Sequence, residues 1–318
     1  MPTALLPQTS ADHFAEQHAI SGLVLAAVGE IWGRTAPDDF DDWFDANIDQ
    51  IVAAITLGQR RAVIGADDYV AAVLAELETP VEADVEIDPA PLVGVASDGR
   101  GLDGLMYGPI ITAKHHVALG ESPGMAWSSA GQAALMQVQT QLADASRVAV
   151  GLGITARRGV GYVRMLNRPS CSRCAVLAGR WYRKAGFLRH PRCDCRHIPS
   201  TRRRARSLAT DARKYFDSLT EAEQNRAFTV SGAEAIRDGS DIAQVVNARR
   251  GMNEAGVYGR TLLITTEGVT RRGLAGKRIR ARGRTPKRTP RLMPEAIYQI
   301  AEDRADVLRL LHLNGYLR

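Results

Sequence analysis

Four cysteines, all that the 318-residue chain contains, lie within 25 residues of one another. They form two pairs, Cys171-x-x-Cys174 and Cys193-x-Cys195. In an intracellular chain such clustering favours a metal site over disulfides, although reduced thiols that only pack, disulfides and redox chemistry remain alternatives. A shared metal would hold both ends of this segment at one point, and no other feature of the sequence constrains the fold as strongly.

Zinc is the metal that fits this pattern. It takes four nitrogen or sulfur ligands, and two cysteines separated by two residues on a tight turn can present both thiolates to one ion. The second pair has a less usual spacing, so His190 or His197 could replace one cysteine. A closed site would be structural, since catalysis needs an open position, and it would pin a polar hairpin from Gly179 to Phe187. The predicted ligands are Cys171, Cys174, Cys193, Cys195 and His190.

Charge is divided unevenly along the chain. Residues 1–100 contain 4 Lys and Arg against 18 Asp and Glu, whereas residues 101–318 contain 37 against 17. The first part should therefore avoid nucleic acid and the second should attract it. A protein that bridges a protein surface and DNA would use both signs, and two domains that merely differ in composition are the alternative.

Residues 271–291 carry ten basic residues and no acidic one, with glycine and proline throughout. This composition predicts an extended segment that binds DNA phosphates without reading sequence, because no aromatic residue is present to stack on bases. A solvated basic face, or contact with an acidic protein, is the alternative. A second basic cluster lies at Arg202-Arg203-Arg204 and Arg206. The predicted nucleic-acid contacts are Arg271, Arg272, Lys277, Arg278, Arg280, Arg282, Arg284, Lys287, Arg288 and Arg291.

The patterning predicts an α+β protein that is predominantly helical. Apolar residues from Phe40 to Ile55 recur at helical spacing, and acidic residues crowd the first turn. Helix starts are expected at Ser122-Pro123, at the capping boxes of Thr220 and Ser231, and after Ser240. The expected parts are an acidic helical domain (1–79), a linker (80–100), a central helical and small-sheet domain with the cysteine segment 171–197 (101–250), a strand and basic tail (251–291) and a helical pair (292–318).

Short strands are expected at 161–166 and 261–269, and the last helical pair should begin at Pro294 and end at Asn314-Gly315. No apolar run approaches the roughly 20 residues that span a bilayer. We also find no basic segment followed by an apolar core near the N-terminus. The sequence therefore predicts a protein made in the cytoplasm, without a membrane partner.

The cysteine segment also resembles a known family. Arg164-Met-Leu-Asn-Arg-Pro-Ser-Cys-Ser-Arg-Cys-Ala-Val-Leu-Ala-Gly179, followed by His190-Pro-Arg-Cys-Asp-Cys195, is similar to the Mu F-like minor head proteins of tailed phages. Residues 232–239, 245–252 and 294–298 look like versions from phages of actinobacteria. The resemblance covers roughly residues 101–318.

This resemblance implies a head morphogenesis protein, present in few copies inside the virion near the portal vertex. Its implied partners are the phage portal protein, the major capsid or scaffold protein and packaged double-stranded DNA. Its implied role is in head assembly and in DNA packaging or delivery.

The sequence gives weak support to an enzyme. Related actinophage proteins are often labelled capsid maturation proteases, which keeps a protease as the alternative. His-Glu-x-x-His does not occur, whereas Gly120-Glu-Ser-Pro-Gly124 matches Gly-x-Ser-x-Gly in letters, at the turn that opens the helix predicted at Ser122-Pro123 rather than after a strand. His115-His116 could act with Ser122, but a histidine pair before a turn is more often an ordinary loop feature. A Gly-x-Gly-x-x-Ala match at 151–156 follows a helix rather than a strand, so it fails as a dinucleotide site. We therefore expect no catalytic residues.

Overall fold

A computed structural model describes residues 6–166, 170–183, 195–208, 210–257, 259–285 and 290–317. The chain is predominantly helical with two small antiparallel sheets, so the predicted α+β class is confirmed. Two compact units are present, one formed by residues 1–165 with 180–209 and the other by residues 166–179 with 210–318.

The helices are α1 (Gln8–Trp32), α2 (Phe40–Val63), α3 (Ala66–Glu76), α4 (Leu102–Ala118), α5 (Pro123–Thr155), α6 (Ser172–Leu177), α7 (Arg202–Leu208), α8 (Ala212–Asp217), α9 (Glu221–Phe228), α10 (Val230–Arg237), α11 (Ile242–Ala248), α12 (Leu274–Ala281), α13 (Pro294–Ile300) and α14 (Arg304–Leu313). The strands are β1 (Val160–Arg164), β2 (Trp181–Tyr182), β3 (His197–Thr201), β4 (Met252–Val257), β5 (Arg260–Thr265) and β6 (Arg291–Leu292).

Helices α1, α2, α4 and α5 enclose one apolar core in the first unit. Val28, Ile51, Met106 and Val138 contribute one side chain from each helix, and all four are fully buried. Helices α1 and α2, from the acidic first part of the chain, therefore share a core with α4 and α5. This grouping differs from the predicted separate domain at residues 1–79, because charge patterning reports on the surface and not on which apolar faces meet.

The segment from 80 to 100, predicted as a linker, lies within the first unit. It contains a 3-10 turn at Ala90–Leu92 and otherwise no helix or strand. Its backbone is anchored by glutamines, since Gly94 N donates to Gln59 Oε1 at 2.8 Å and Ser97 N donates to Gln141 Oε1 at 2.7 Å. These bonds satisfy backbone groups that have no strand or helix partner.

The first unit also holds the sheet β2-β1-β3, in which β1 pairs antiparallel with both neighbours. The predicted strand at 161–166 is thus present as Val160–Arg164. Gly161 is required there, because a Cβ atom would lie 2.2 Å from the Tyr182 carbonyl oxygen. Of the predicted hairpin from Gly179 to Phe187, residues 184–187 lie outside the described residues, and β2, within the described part, pairs with β1.

The second unit packs its short helices around Phe216, Phe228, Ile236 and Ile297 beside the sheet β4-β5-β6. The predicted strand at 261–269 is present as β5. The final helices begin and end as predicted, and Gly315 has the positive φ of +75° that a helix C-terminus favours.

One of the three predicted helix starts in the second unit is wrong. Thr220 forms its capping box with Glu223 as expected. However, α10 begins at Val230, because Thr229 rather than Ser231 accepts a hydrogen bond from Gly232 N. The third helix, α11, begins after Ser240 as predicted, with Asp241 as its cap. At α10 a neighbouring oxygen side chain competes successfully for the cap position.

The expectation of an extended segment over residues 271–291 is also wrong in its central part, which forms α12. Ala275, Gly276 and Ile279 give this helix a narrow buried face despite the surrounding cations. A Cβ at Gly276 would lie 2.2 Å from the Thr270 carbonyl oxygen, so only glycine permits the close approach. Residue spacing, rather than composition, therefore decides the structure here.

No helix in the described parts of the chain is both long enough and apolar enough to cross a membrane.

His13 is expected to make the stability of the first unit depend on pH. Its ring stacks on Tyr69 with 4.0 Å between ring centroids. Burial, and secondarily the charge of Arg196, lowers the pKa of His13 to about 4. The unfolded chain takes up this proton near pH 6.5 and the folded chain near pH 4, so stability is full above pH 6.5 and falls between these values. We expect a loss of about 2 kcal/mol by pH 5.

Chemical denaturation between pH 7 and 5 measures this loss. His13→Phe keeps a ring against Tyr69 and should remove most of the slope, whereas His115→Gln, at an exposed histidine, should leave it unchanged. An unaltered slope in His13→Phe would assign the effect to another group.

Candidate metal and nucleic-acid sites

Cys171 and Cys174 come together at the start of α6 in the second unit. Their sulfur atoms are 3.4 Å apart, well beyond the roughly 2.05 Å of a disulfide bond. Cys171 Sγ accepts a hydrogen bond from Cys174 N at 3.5 Å, which fixes the turn that carries both side chains. Two thiolates bound to one tetrahedral zinc at about 2.3 Å lie roughly 3.8 Å apart. This pair therefore fits half of a tetrahedral site with a small adjustment.

Of the remaining predicted ligands, one lies in the first unit and two lie outside the described residues. Cys195 lies in the first unit, just before β3, and is 3% exposed. His197, the alternative ligand, lies in β3 with its ring stacked 3.9 Å from that of Tyr162. His190 and Cys193 lie outside the described residues. Within the residues that the structure does describe, no three His, Cys, Asp or Glu side chains form a metal-binding group.

The basic residues of 271–291 divide into three groups. Arg271, Arg272, Lys277, Arg282 and Arg284 are exposed on α12 and its flanks. Arg278 and Arg280 are partly buried and donate to backbone carbonyls, Arg278 to His312 O and Leu317 O and Arg280 to Thr270 O. Lys287 and Arg288 fall outside the described residues.

Arg291 corrects the prediction most clearly, since it is 1% exposed. Its Nε donates to Asn314 O at 2.7 Å and one terminal nitrogen donates to Glu267 O at 2.8 Å. Its guanidinium carbon lies 4.2 Å from the centre of the Tyr316 ring. Arg291 thus joins the C-terminal helix to the sheet and is not available to DNA. The apolar Leu292-Met293 that follows it is the sequence signal for this burial.

A cavity beneath Arg282 and Arg284 was not predicted from the sequence. It has a volume of about 90 Å³. The other residues that line it are uncharged, namely Val257, Ile279, Pro290, Leu292, Leu310, Leu313 and Asn314. No carboxylate among these lining residues neutralises the two guanidinium groups, so their charge remains directed at solvent and at any anion there.

The second basic cluster lies on α7 in the first unit. Arg202, Arg203 and Arg206 are exposed. Arg204 instead pairs with Glu78, which leaves three cations of this cluster for another partner.

The residues of the protease alternative have local structural roles. His116 lies in the last turn of α4, where its Nδ1 is 2.9 Å from Glu121 Oε1. Ser122 Oγ caps α5 by accepting from Met125 N. The hydrogen bond to Glu121 and the capping of α5 account for His116 and Ser122 as the structure places them.

Comparisons of the chain with protein-family models, with curated proteins and with solved structures gave no match.

Proposed function

We propose that this chain is a minor head protein of a tailed phage, internal and associated with the portal, that acts by binding rather than catalysis. The cysteine segment and its closing His190-Pro-Arg-Cys-Asp-Cys195 support this proposal through their likeness to Mu F-like proteins. The portal protein, the major capsid or scaffold protein and packaged double-stranded DNA are its proposed partners.

The exposed cations around α12 are the observation that carries the proposal of DNA contact. Five of them fall within 14 residues, from Arg271 to Arg284, with Lys277 on α12 and the other four on its flanks, and α12 is anchored by Ala275 and Ile279. An anchored helix loses less conformational entropy on binding than an extended chain would. Each phosphate contact releases counterions, so such an array supplies strong, salt-dependent and sequence-independent attraction to a duplex.

A structural zinc ion belongs to the same proposal. Cys171 and Cys174 would hold it with ligands from the rest of the segment, and a closed site would stabilise the fold without supplying chemistry. Metal analysis should find about one zinc per chain in the purified protein. A Cys171→Ser and Cys174→Ser double variant should lose it, and equal metal content in both proteins would overturn this part.

DNA binding as a function of salt tests the main part of the proposal. Five phosphate contacts give a slope of about −4.5 in the logarithm of affinity against the logarithm of salt. Replacing Arg271, Arg272 and Arg282 with alanine should reduce the slope by about 3. Replacing Arg158, Arg226 and Arg309 with alanine removes the same charge elsewhere and should change it little. Equal effects of both triple variants would assign binding to net charge and overturn the assignment to α12.

Procapsids assembled with and without this chain test its place in the head. We expect the chain at the portal vertex and coat and scaffold chains of unchanged length on a gel. Shortened coat or scaffold chains that depend on this protein would instead establish the protease alternative.

A further inference from the structure

We infer that a second copy of this chain docks on the outer face of α1 and α2, forming a two-fold symmetric dimer. This face is a shallow apolar groove in the first unit, with a cavity of about 120 Å³. The inference goes beyond the proposed function and rests on neither DNA nor metal. It gives the acidic N-terminal helices a role in assembly.

Large apolar side chains are exposed along this groove. Leu23 is 64% exposed and Leu57 is 55% exposed, and both line it. Ile64, which directly follows the last residue of α2, is 67% exposed. Contiguous exposed apolar surface of this kind marks protein–protein contacts more often than single exposed leucines do.

The shape of α1 suits close packing by another helix. Residues 18–29 contain no Asp, Glu, Lys or Arg. Ala19, Gly22 and Ala26 are exposed beside Leu23, and nothing lies within 4 Å of a Cβ built at Gly22. Small residues around a protruding leucine form a surface into which a leucine of the partner can fit. Burial of that leucine would offset the cost of association.

The two helices run antiparallel, which sets the charge at each end of the groove. Gln17 Nε2 donates to Ala62 O at 3.3 Å near one end, and the rings of Trp32 and Trp43 lie 4.9 Å apart at the other. The first end carries the exposed residues Arg60, Arg61, Asp12 and Glu16, which have no net charge. The second carries the exposed residues Glu30, Asp42, Asp45 and Asp49 with Arg34, a net charge of −3. The two ends of the apolar groove therefore differ in charge.

This difference in charge between the two ends favours a second copy as the occupant. A two-fold axis that lies in the interface and perpendicular to the helices brings Arg60 and Arg61 of each copy to the acidic end of the other. The same axis brings Leu23 and Leu57 of both copies to the centre. Contact between these arginines and the acidic end favours this arrangement over the parallel one, in which the two acidic ends would meet.

Light scattering and sedimentation of the full chain test the dimer. We expect a dimer that Leu23→Asp or Leu57→Asp weakens by at least about tenfold, since each puts a charge at the centre of the interface. Both leucines are exposed, so circular dichroism should show an unchanged fold. Leu119→Asp is the matched control, because Leu119 is 70% exposed on a different surface. A monomeric wild-type chain, or dimerisation unaffected by both groove variants, would overturn the inference.

Charge reversal distinguishes a two-fold contact from any other association. An Arg60→Glu and Arg61→Glu variant should dimerise weakly, and so should a Glu30→Lys and Asp49→Lys variant, because each places like charges together. A mixture of the two should form a heterodimer, in which both ends are complementary again. Failure of the mixture to associate would refute the proposed axis. DNA binding by these variants is a separate measurement, so the dimer and the proposed function can fail independently.

Discussion

Replacing Trp127 with alanine is expected to destabilise the first unit by about 3–5 kcal/mol. Trp127 is completely buried where α5 meets α1 and α2. Its ring stacks on Trp32 at 4.4 Å, meets Trp43 edge-on at 4.7 Å and lies 5.4 Å from Phe40. Alanine would leave a cavity among three aromatic side chains, which have little freedom to collapse into it. No other single side chain joins as many aromatic rings in the described part of this core.

Trp127→Phe is the matched control for this prediction. The buried indole Nε1 of Trp127 has no hydrogen-bond acceptor. Phenylalanine therefore removes an unsatisfied donor while keeping most of the ring contact, and we expect it to cost at least about 2 kcal/mol less than alanine. Because the chain forms two compact units, hydrogen exchange of the α5 amides, which reports on the first unit by itself, is the appropriate measurement. Equal losses in the two variants would show that ring volume is not what stabilises this core.

Local signals explain which elements could be predicted from the sequence. Asp39 caps α2, Ser122 with Pro123 opens α5, and Thr220 with Glu223 opens α9. In each case the residues that determine the helix start lie within one turn of it. The predicted cap at Ser231 was wrong because a second suitable oxygen lies within the same turn. Thr229, two residues earlier, accepts the hydrogen bond instead.

Features that depend on distant contacts could not be predicted in this way. The grouping of α1 and α2 with α4 and α5 depends on which apolar faces meet, and the charge pattern contains no information about that. In the candidate metal site, the turn that joins Cys171 to Cys174 is local, and their sulfur atoms lie 3.4 Å apart. The position of Cys195, in contrast, depends on contacts made by segments that are far from that turn in the sequence.

Replacing Arg291 with alanine is expected to destabilise the second unit by about 3 kcal/mol or more. Burial lowers the pKa of the Arg291 guanidinium from its ordinary value. An arginine nevertheless stays charged in proteins, so its hydrogen bonds are charge-assisted. Alanine would remove the donors to Asn314 O and Glu267 O and the contact with Tyr316. The carbonyl groups left without partners account for much of the expected cost.

Arg284→Ala provides the contrast that decides between a structural and a DNA-binding role for Arg291. Arg284 is exposed, so its loss should change stability by less than about 0.5 kcal/mol while weakening DNA binding. Arg291→Ala should show the reverse, with faster hydrogen exchange in α14 and unchanged DNA affinity at temperatures where the unit stays folded. If Arg291→Ala instead weakened DNA binding without altering α14 exchange, Arg291 would have to reach solvent in the native protein, contrary to the buried position in which three backbone and side-chain oxygens surround it.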